Sequence, residues 1–283
     1  MITYFGTGLL GSNFVRAFRN RGEAVNVWNR SASKAKALEQ YGAVAFSDPA
    51  EAARGAVRIH ITLSDDAAVD EVLERAWPGM SAGVTIVDHT TTSPALTAER
   101  EKRWTGRGVA FQHAPVFMGP PNALDASGVM LASGDEVRFK ALEPHLEAMT
   151  GKLVYLGTDP ARAAGIKLLG NQFIISLNTA LSDTLTLAKG LGIPKEEVTH
   201  LFSVFNPGTG TPGRLKRMIN AEFANKSWPL EMARKDVRLM LESASAGGVE
   251  LAVLPAIAAM MDEWIAKGHA QDDWMVTVSD ALA

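Results

Sequence analysis

Within the first eleven residues one pattern limits what this chain can fold into. Gly6-Thr7-Gly8-Leu9-Leu10-Gly11 lies between a short apolar run, Ile2 to Phe5, and a helical segment, Ser12 to Arg21. Three glycines at this spacing after a strand meet three needs. Gly6 permits a tight turn, Gly8 lets the backbone approach a pyrophosphate, and Gly11 lets the helix pack closely on the strand. The amides exposed at the helix start then bind phosphate. A Gly-rich turn without a ligand is the alternative, but a preceding strand and a following helix are the context that nucleotide binding requires. Thr7, Leu9 and Leu10 are assigned to the cofactor loop with the glycines.

The second strand, Ala24 to Trp28, ends in Asn29-Arg30-Ser31, with Asn29 eighteen residues after Gly11. An acidic residue there would bind the ribose 2′-hydroxyl of NAD. An amide, a guanidinium and a hydroxyl instead suit a 2′-phosphate, for which Arg offers planar charged donors. The expected cofactor is NADP(H). The other reading is a solvated turn leading into a helix from Lys34 to Tyr41.

Strands and helices then alternate: Ala43 to Phe46 and a helix from Pro49, Val57 to Leu63 and Ala67 to Ala76, Val84 to Val87 and Ser93 to Trp104. This spacing predicts a parallel sheet with right-handed crossovers, whose ligands collect at the strand C-terminal ends. Two polar patches fall there, Leu63-Ser64-Asp65 and Asp88-His89-Thr90-Thr91-Thr92-Ser93-Pro94. Either can serve only as a helix N-cap, which is the reading for Ser93-Pro94. Leu63, Ser64 and Thr91 are assigned to the cofactor, and Thr90 to the substrate. Further strand-like runs are Val109 to Val116, Val129 to Ser133 and Lys152 to Leu156, with a helix from Glu136 to Met149. Between the first two runs, Phe117 to Ala123 reads as a stiff, non-helical loop because of Gly119, Pro120 and Pro121. Phe117, Met118 and Gly119 are placed to line a pocket.

From Pro160 to about Lys189 the pattern predicts one helix of roughly 30 residues, about 45 Å long, with Gly190 as its stop. A helix this apolar is expected to be mostly buried. Lys167 and Asn171 share a face, and Asn178 falls near it two turns later. Snorkelling of Lys167 to solvent is the bland reading. Ile193 to Phe205, Gly213 to Phe223, Leu230 to Ala246 and Pro255 to Lys267 read as helices with no convincing strand among them.

Composition narrows the function classes. The 283 residues are 47% hydrophobic, with 28 basic against 31 acidic side chains and no cysteine. A net charge of -3 offers no basic field for nucleic acid. Disulfides, thiolate metal sites and a Cys nucleophile are excluded, and the six His residues show no ligand spacing. No window reaches about 18 unbroken apolar residues, and the opening MITYFG reads as a strand rather than a leader. The expectation is a soluble, cytoplasmic protein with no membrane partner.

Taken together, these residues resemble the β-hydroxyacid dehydrogenase family, which includes 3-hydroxyisobutyrate dehydrogenases, tartronate semialdehyde reductases and glyoxylate/succinic semialdehyde reductases. The resemblance covers nearly the whole chain. The family's cofactor fingerprint matches Gly6 to Gly11, and its Asp-x-Ser-Thr-x-x-Pro motif is similar to Asp88 through Pro94. Its catalytic Lys and the Asn four positions on match Lys167 and Asn171, and its Lys-Asp pair matches Lys235-Asp236. The implied α/β fold has an N-terminal Rossmann dinucleotide-binding domain (1-159), a long interdomain helix (160-190) and an all-helical C-terminal domain (191-283). Members are commonly homodimers or homotetramers. One departure stands out: where the family has Ser-Gly-Gly for the substrate carboxylate, this chain has Phe117-Met118-Gly119. Thr90 stands for the family's Ser. The pocket is expected to be more apolar, with a larger or less acidic substrate.

The resemblance implies NADP(H)-dependent hydride transfer to or from a small aldehyde, keto acid or hydroxy acid. Lys167 would move the proton while Asn171 orients it or the substrate oxygen. Lys235 would bind cofactor or substrate anion, or be a surface lysine. Asp273, in a segment like the family's C-terminal Asp motif, is read as structural. Two other functions stay open. Imine reductases are related but typically lack Lys at this position, and an NADP-binding sensor would have lost turnover.

Overall fold

The computed structural model describes residues 1–283, which form two compact units, Met1–Gln172 and Phe173–Ala283. In the first, the elements follow in order as β1 (Ile2–Phe5), α1 (Leu9–Asn20), β2 (Val25–Trp28), α2 (Ala32–Lys36), β3 (Val44–Ala45), α3 (Pro49–Ala53), β4 (Arg58–Ile61), α4 (Asp66–Ala76), β5 (Thr85–Asp88), α5 (Pro94–Gly106) and β6 (Ala110–His113). Six parallel strands make one sheet in the order β3-β2-β1-β4-β5-β6. Phe5 at the end of β1 is in register with Trp28 on one side and Ile61 on the other. The strand order reverses between β1 and β4, so the crevice at a topological switch point opens beside the glycine loop.

Period-2 alternation feeds two cores from the same strands. Tyr4, Val27 and Val87 join Phe14 and Phe18 of α1 on one face. Phe5, Trp28 and Ile86 join Ile59, Ile61 and Phe111 on the other. Both faces are covered, which is why these strands read as near-continuous apolar runs.

Three expectations are corrected here. The run from Val109 to Val116 is not one strand: β6 ends at His113, and β7 (Val116–Phe117) enters a second sheet. The Phe117-to-Ala123 loop is partly helical, because α6 runs from Pro120 to Asp125. Pro120 and Pro121 stand in its first turn, where their missing N–H groups cost nothing, and the Asn122 side chain accepts from Gly119 N at 2.8 Å. The segment Lys34 to Tyr41 is the short α2 followed by a 3₁₀ turn at Glu39–Tyr41. After α6 come β8 (Val129–Ala132), α7 (Glu136–Glu147) and β9 (Lys152–Tyr155); β8 pairs antiparallel with β7 and parallel with β9.

The 29-residue α8 spans Arg162–Gly190, and the division between the units falls within it. It ends at Gly190, as the sequence predicts, and Gly192, whose φ is +69°, turns the chain away. Gly190 also serves close packing, since a Cβ on Gly247 would run into its backbone. Much of α8 beyond Lys167 is exposed, with Leu169 at 64% and Ile175 at 66%. Apolar content predicted burial, and in the single chain that burial is not made.

The second unit holds α9 (Lys195–Val204), α10 (Thr211–Ile219), α11 (Leu230–Ala246) and α12 (Leu254–Trp264), with 3₁₀ turns at Pro207–Gly210 and Trp274–Ala281. Leu230, Val237, Met261, Trp264 and Val276 form its core. Asp183 of α8 accepts from Ala252 N and Val253 N at 2.7 and 2.8 Å, satisfying amides ahead of α12. Asp273 is fully buried and accepts from the Ser227 amide and hydroxyl at 2.7 and 2.8 Å, a structural pin.

Candidate active site

The glycine loop closes over the end of β1. Gly6 has φ +88°, and a Cβ there would run into the Thr62 carbonyl; a Cβ on Gly11 would run into the carbonyl of Gly6. Gly8 meets nothing within 4 Å, so its face is open to a ligand. No side chain caps α1 and no acidic residue occupies its first turn, which leaves its first amides for an anion. The Thr7 hydroxyl is buried without a partner.

A cleft of about 340 Å³ adjoins this loop, lined by Gly6, Gly8, Leu9, Leu10, Gly11, Asn29, Arg30, Ser31, Leu63 and Ser64. Asn29 takes the Thr7 amide on Oδ1 at 3.0 Å and donates to Ser31 O at 3.1 Å, fastening the β2 loop to the glycine loop. Arg30 and Ser31 are exposed beside it. Lys34 on α2 and Arg75 on α4 line the same cleft and are absent from the sequence-based assignment. Arg75 packs over the Trp28 ring at 5.2 Å and pairs with Glu71 at 3.5 Å. Lys34, three residues past Ser31 and on the same basic turn, had a local signal. Arg75 arrives from another helix and had none.

Behind the cleft, the loop after β5 is held rigidly. Thr90 is buried, and its Oγ1 accepts from Leu63 N at 3.1 Å, tying the loops after β4 and β5 together. Thr91 is exposed. Asp88 accepts from Thr90 N at 2.9 Å, while its other oxygen stands 3.8 Å from His113 Nδ1. Burial pushes the Asp88 carboxyl up, but His113 and the Thr90 bonds outweigh it and hold the group below its ordinary value. Ser64 hydrogen-bonds Asp65 at 2.9 Å, and Asp65 caps α4 through Ala68 N at 2.8 Å. Ser93 stands at the N-cap of α5 with Pro94 behind it, but its hydroxyl makes no capping bond; its amide donates to Asp66 at 2.9 Å instead. Asp66 in turn holds Arg100 at 2.9 Å, and Asp70 holds it at 2.7 Å.

A histidine pair lies below Thr90. His89 Nδ1 faces the Ala114 carbonyl at 2.7 Å and must carry the proton, since a carbonyl only accepts. His89 Nε2 then accepts from His60 Nδ1 at 3.0 Å. Burial pushes both imidazoles down, His89 to about 4, so both are neutral. This pair fixes Ala114, and through it the segment leading to Phe117.

The first turns of α8 carry the reactive candidates. Lys167 is 8% exposed, and its Nζ donates to Asn171 Oδ1 at 2.9 Å. No carboxylate pairs with it, and burial pushes its ammonium below the ordinary value. The Phe117 ring lies with its centroid 4.4 Å from Nζ. Met118 turns the other way, packing against the core of the first unit. Gly119 is the N-cap of α6. Lys235 belongs to the second unit, on α11, and pairs with Asp236 at 2.8 Å.

The model of the NAD binding domain of 6-phosphogluconate dehydrogenase matches residues 1–157, more than half of the chain. Glyoxylate/succinic semialdehyde reductase 1 of Arabidopsis thaliana is 27% identical over 274 residues, covering 95% of this chain and 92% of its own. The 3-sulfolactaldehyde reductase of Escherichia coli is 24% identical over 278 residues, covering 96% and 93%. An imine reductase from Myxococcus stipitatus in complex with NADP+ shares 22% identity over 99% of both chains with a TM-score of 0.91, a likeness of fold. No helix is long and apolar enough to cross a membrane. On the match to its nucleotide-binding half and the order of its motifs, the chain belongs to the β-hydroxyacid dehydrogenase family.

Proposed function

We propose that this chain is an NADP(H)-dependent oxidoreductase acting on a small aldehyde, keto acid or hydroxy acid, with Lys167 as general acid and base. The observation that carries the reading is the state of Lys167: buried, without a carboxylate partner, and held by Asn171 at 2.9 Å. An ordinary lysine pKa of about 10.4 is too high for efficient proton exchange at neutral pH. Burial lowers it toward the working range.

The cofactor would be held by Gly6, Thr7, Gly8, Leu9, Leu10 and Gly11 at the pyrophosphate, with Leu63, Ser64 and Thr91 further along. Bound there, the nicotinamide supplies or takes up hydride. Asn29, Arg30 and Ser31 support NADP(H) over NAD(H), because the cleft has cations and an amide where a carboxylate would read a ribose hydroxyl. Lys235 is assigned to cofactor or substrate anion. Thr90, Phe117 and Gly119 are assigned to the substrate side with Asn171, whereas Met118, packed against the core, leaves that set. In reduction, Lys167 gives its proton to the carbonyl oxygen; in oxidation it takes the proton back. The working protein is a homodimer or homotetramer, a reading supported by the exposed apolar residues Leu169, Phe173, Ile175 and Leu177 of α8.

A second reading, reduction of imines or of larger uncharged carbonyls, is supported by the aromatic ring beside Lys167. The test is NADPH and NADH oxidation against glyoxylate, succinic semialdehyde, bulky aldehydes and cyclic imines. Turnover of carboxylated aldehydes supports the leading reading, and turnover confined to imines or uncharged carbonyls supports the second. Tight NADPH binding with no turnover of any of them replaces both with a sensor.

A further inference from the structure

The lysine is held by more than its helix neighbour. Phe117 sits on β7, paired with Val129 of β8. Its neighbour Val116 points into the core at 4% exposure, so alternation along the strand sends the Phe117 side chain the opposite way. There it meets α8 at Gly170, where a Cβ would overlap the ring. Gly170 thus forms a notch between Lys167 and Asn171, and the ring in that notch lies with its centroid 4.4 Å from the Lys167 Nζ.

An ammonium has three N–H donors. One reaches Asn171 Oδ1 at 2.9 Å, and the ring covers a second direction. Burial works against the charge, and no carboxylate offsets it. The negative face of an aromatic ring is the remaining stabiliser, and such a contact is stronger when partly desolvated.

We propose that Phe117 is a positioning residue for Lys167: its ring, seated in the Gly170 notch, favours the charged ammonium and leaves one N–H for the substrate oxygen. This rests on the reading of Lys167 as the proton donor. The ring also explains how a chain with bulk at position 117 keeps a usable lysine. It fills space beside the ammonium without adding an acceptor that competes with substrate.

The experiment follows the Lys167 titration directly, by NMR of protein carrying ¹³C at the lysine ε-carbon, with Lys167→Ala assigning the signal. Phe117→Leu keeps the bulk and removes the quadrupole. Gly170→Ala leaves the ring intact but displaces it. Both are expected to lower the Lys167 midpoint by about 0.5 to 1 pH unit. The basic limb of the pH profile of carbonyl reduction moves with it in each variant. A Lys167 midpoint unchanged in Phe117→Leu overturns the proposal; if that variant does not fold, an unchanged midpoint in Gly170→Ala does. Because the titration needs no turnover, absence of any reductase activity would sink the proposed function and leave this result readable.

Discussion

Asn29 Oδ1 accepts the backbone N–H of Thr7 at 3.0 Å, so the residue at the end of β2 fixes the glycine loop and at the same time withholds a carboxylate from the cleft. On the proposed NADP(H) reading, the neighbouring Arg30 is the residue that would hold the 2′-phosphate. Arg30→Ala should raise the KM for NADPH by about 10- to 100-fold, from the loss of one or two charged hydrogen bonds, with little change for NADH. Steady-state kinetics with both cofactors checks this, and a parallel loss for NADH would contradict a 2′-phosphate site.

Lys167→Ala should lower kcat by about 10²- to 10⁴-fold, the usual worth of a positioned general acid. NADPH affinity, read by fluorescence quenching, should stay within a factor of two or so, because Lys167 is not assigned to the cofactor. Loss of binding in step with loss of rate would reassign it.

The buried histidines make the fold sensitive to mild acid. His89 is neutral in the folded chain with its pKa pushed down to about 4, against 6.5 in the unfolded chain. Unfolding therefore takes up a proton in that window. Stability is full above pH 6.5, falls as pH drops, and has lost this contribution entirely near pH 4. The gap is worth about 3 kcal/mol, and His60 acts in the same direction. Urea midpoints at pH 7 and 4.5 measure the slope, which His89→Gln should flatten.

Arg100 is a guanidinium at 1% exposure between Asp66 and Asp70. Its removal takes the main partner from Asp66 and one of two guanidinium partners from Asp70, which keeps Arg103. Both carboxylates are part-exposed, so Arg100→Ala should cost about 1 to 3 kcal/mol in chemical denaturation. Asp66 also receives the Ser93 amide. The same variant should accordingly loosen the segment from Thr91 to Ser93, seen as faster amide exchange. Unchanged protection there would separate stability from loop placement.

Replacing Phe173 and Leu177 together by Glu should reduce the molar mass in light scattering to that of one chain, since α8 exposes both. A mass unchanged from wild type would exclude this face as the contact between copies.

The nucleotide-binding half was legible because its requirements are local. A turn with φ near +88° and a helix packed against it need glycines at fixed spacing, and Gly6 and Gly11 meet them within six residues. The Lys167–Asn171 pair was legible for the same reason, being one helical turn apart. What sequence hid lies in long-range placement. Pro120 and Pro121 read as breakers, yet they start α6, since a first turn tolerates them. Arg75 reaches the cleft from α4, and Phe117 reaches Lys167 across fifty residues of chain. The exposure of α8 was misread because apolar content alone does not bury a helix; packing partners do, and this chain supplies few along that face.

The two faces of the six-stranded sheet also set how mutations in it combine. Tyr4 and Phe5 are adjacent in sequence but pack into different cores, Tyr4 with Phe14 and Phe5 with Trp28. Energies of substitutions at 4 and 5 should add, while those at 4 and 14, or at 5 and 28, should not. For anyone redesigning this unit, the independent variables are the faces rather than the strands.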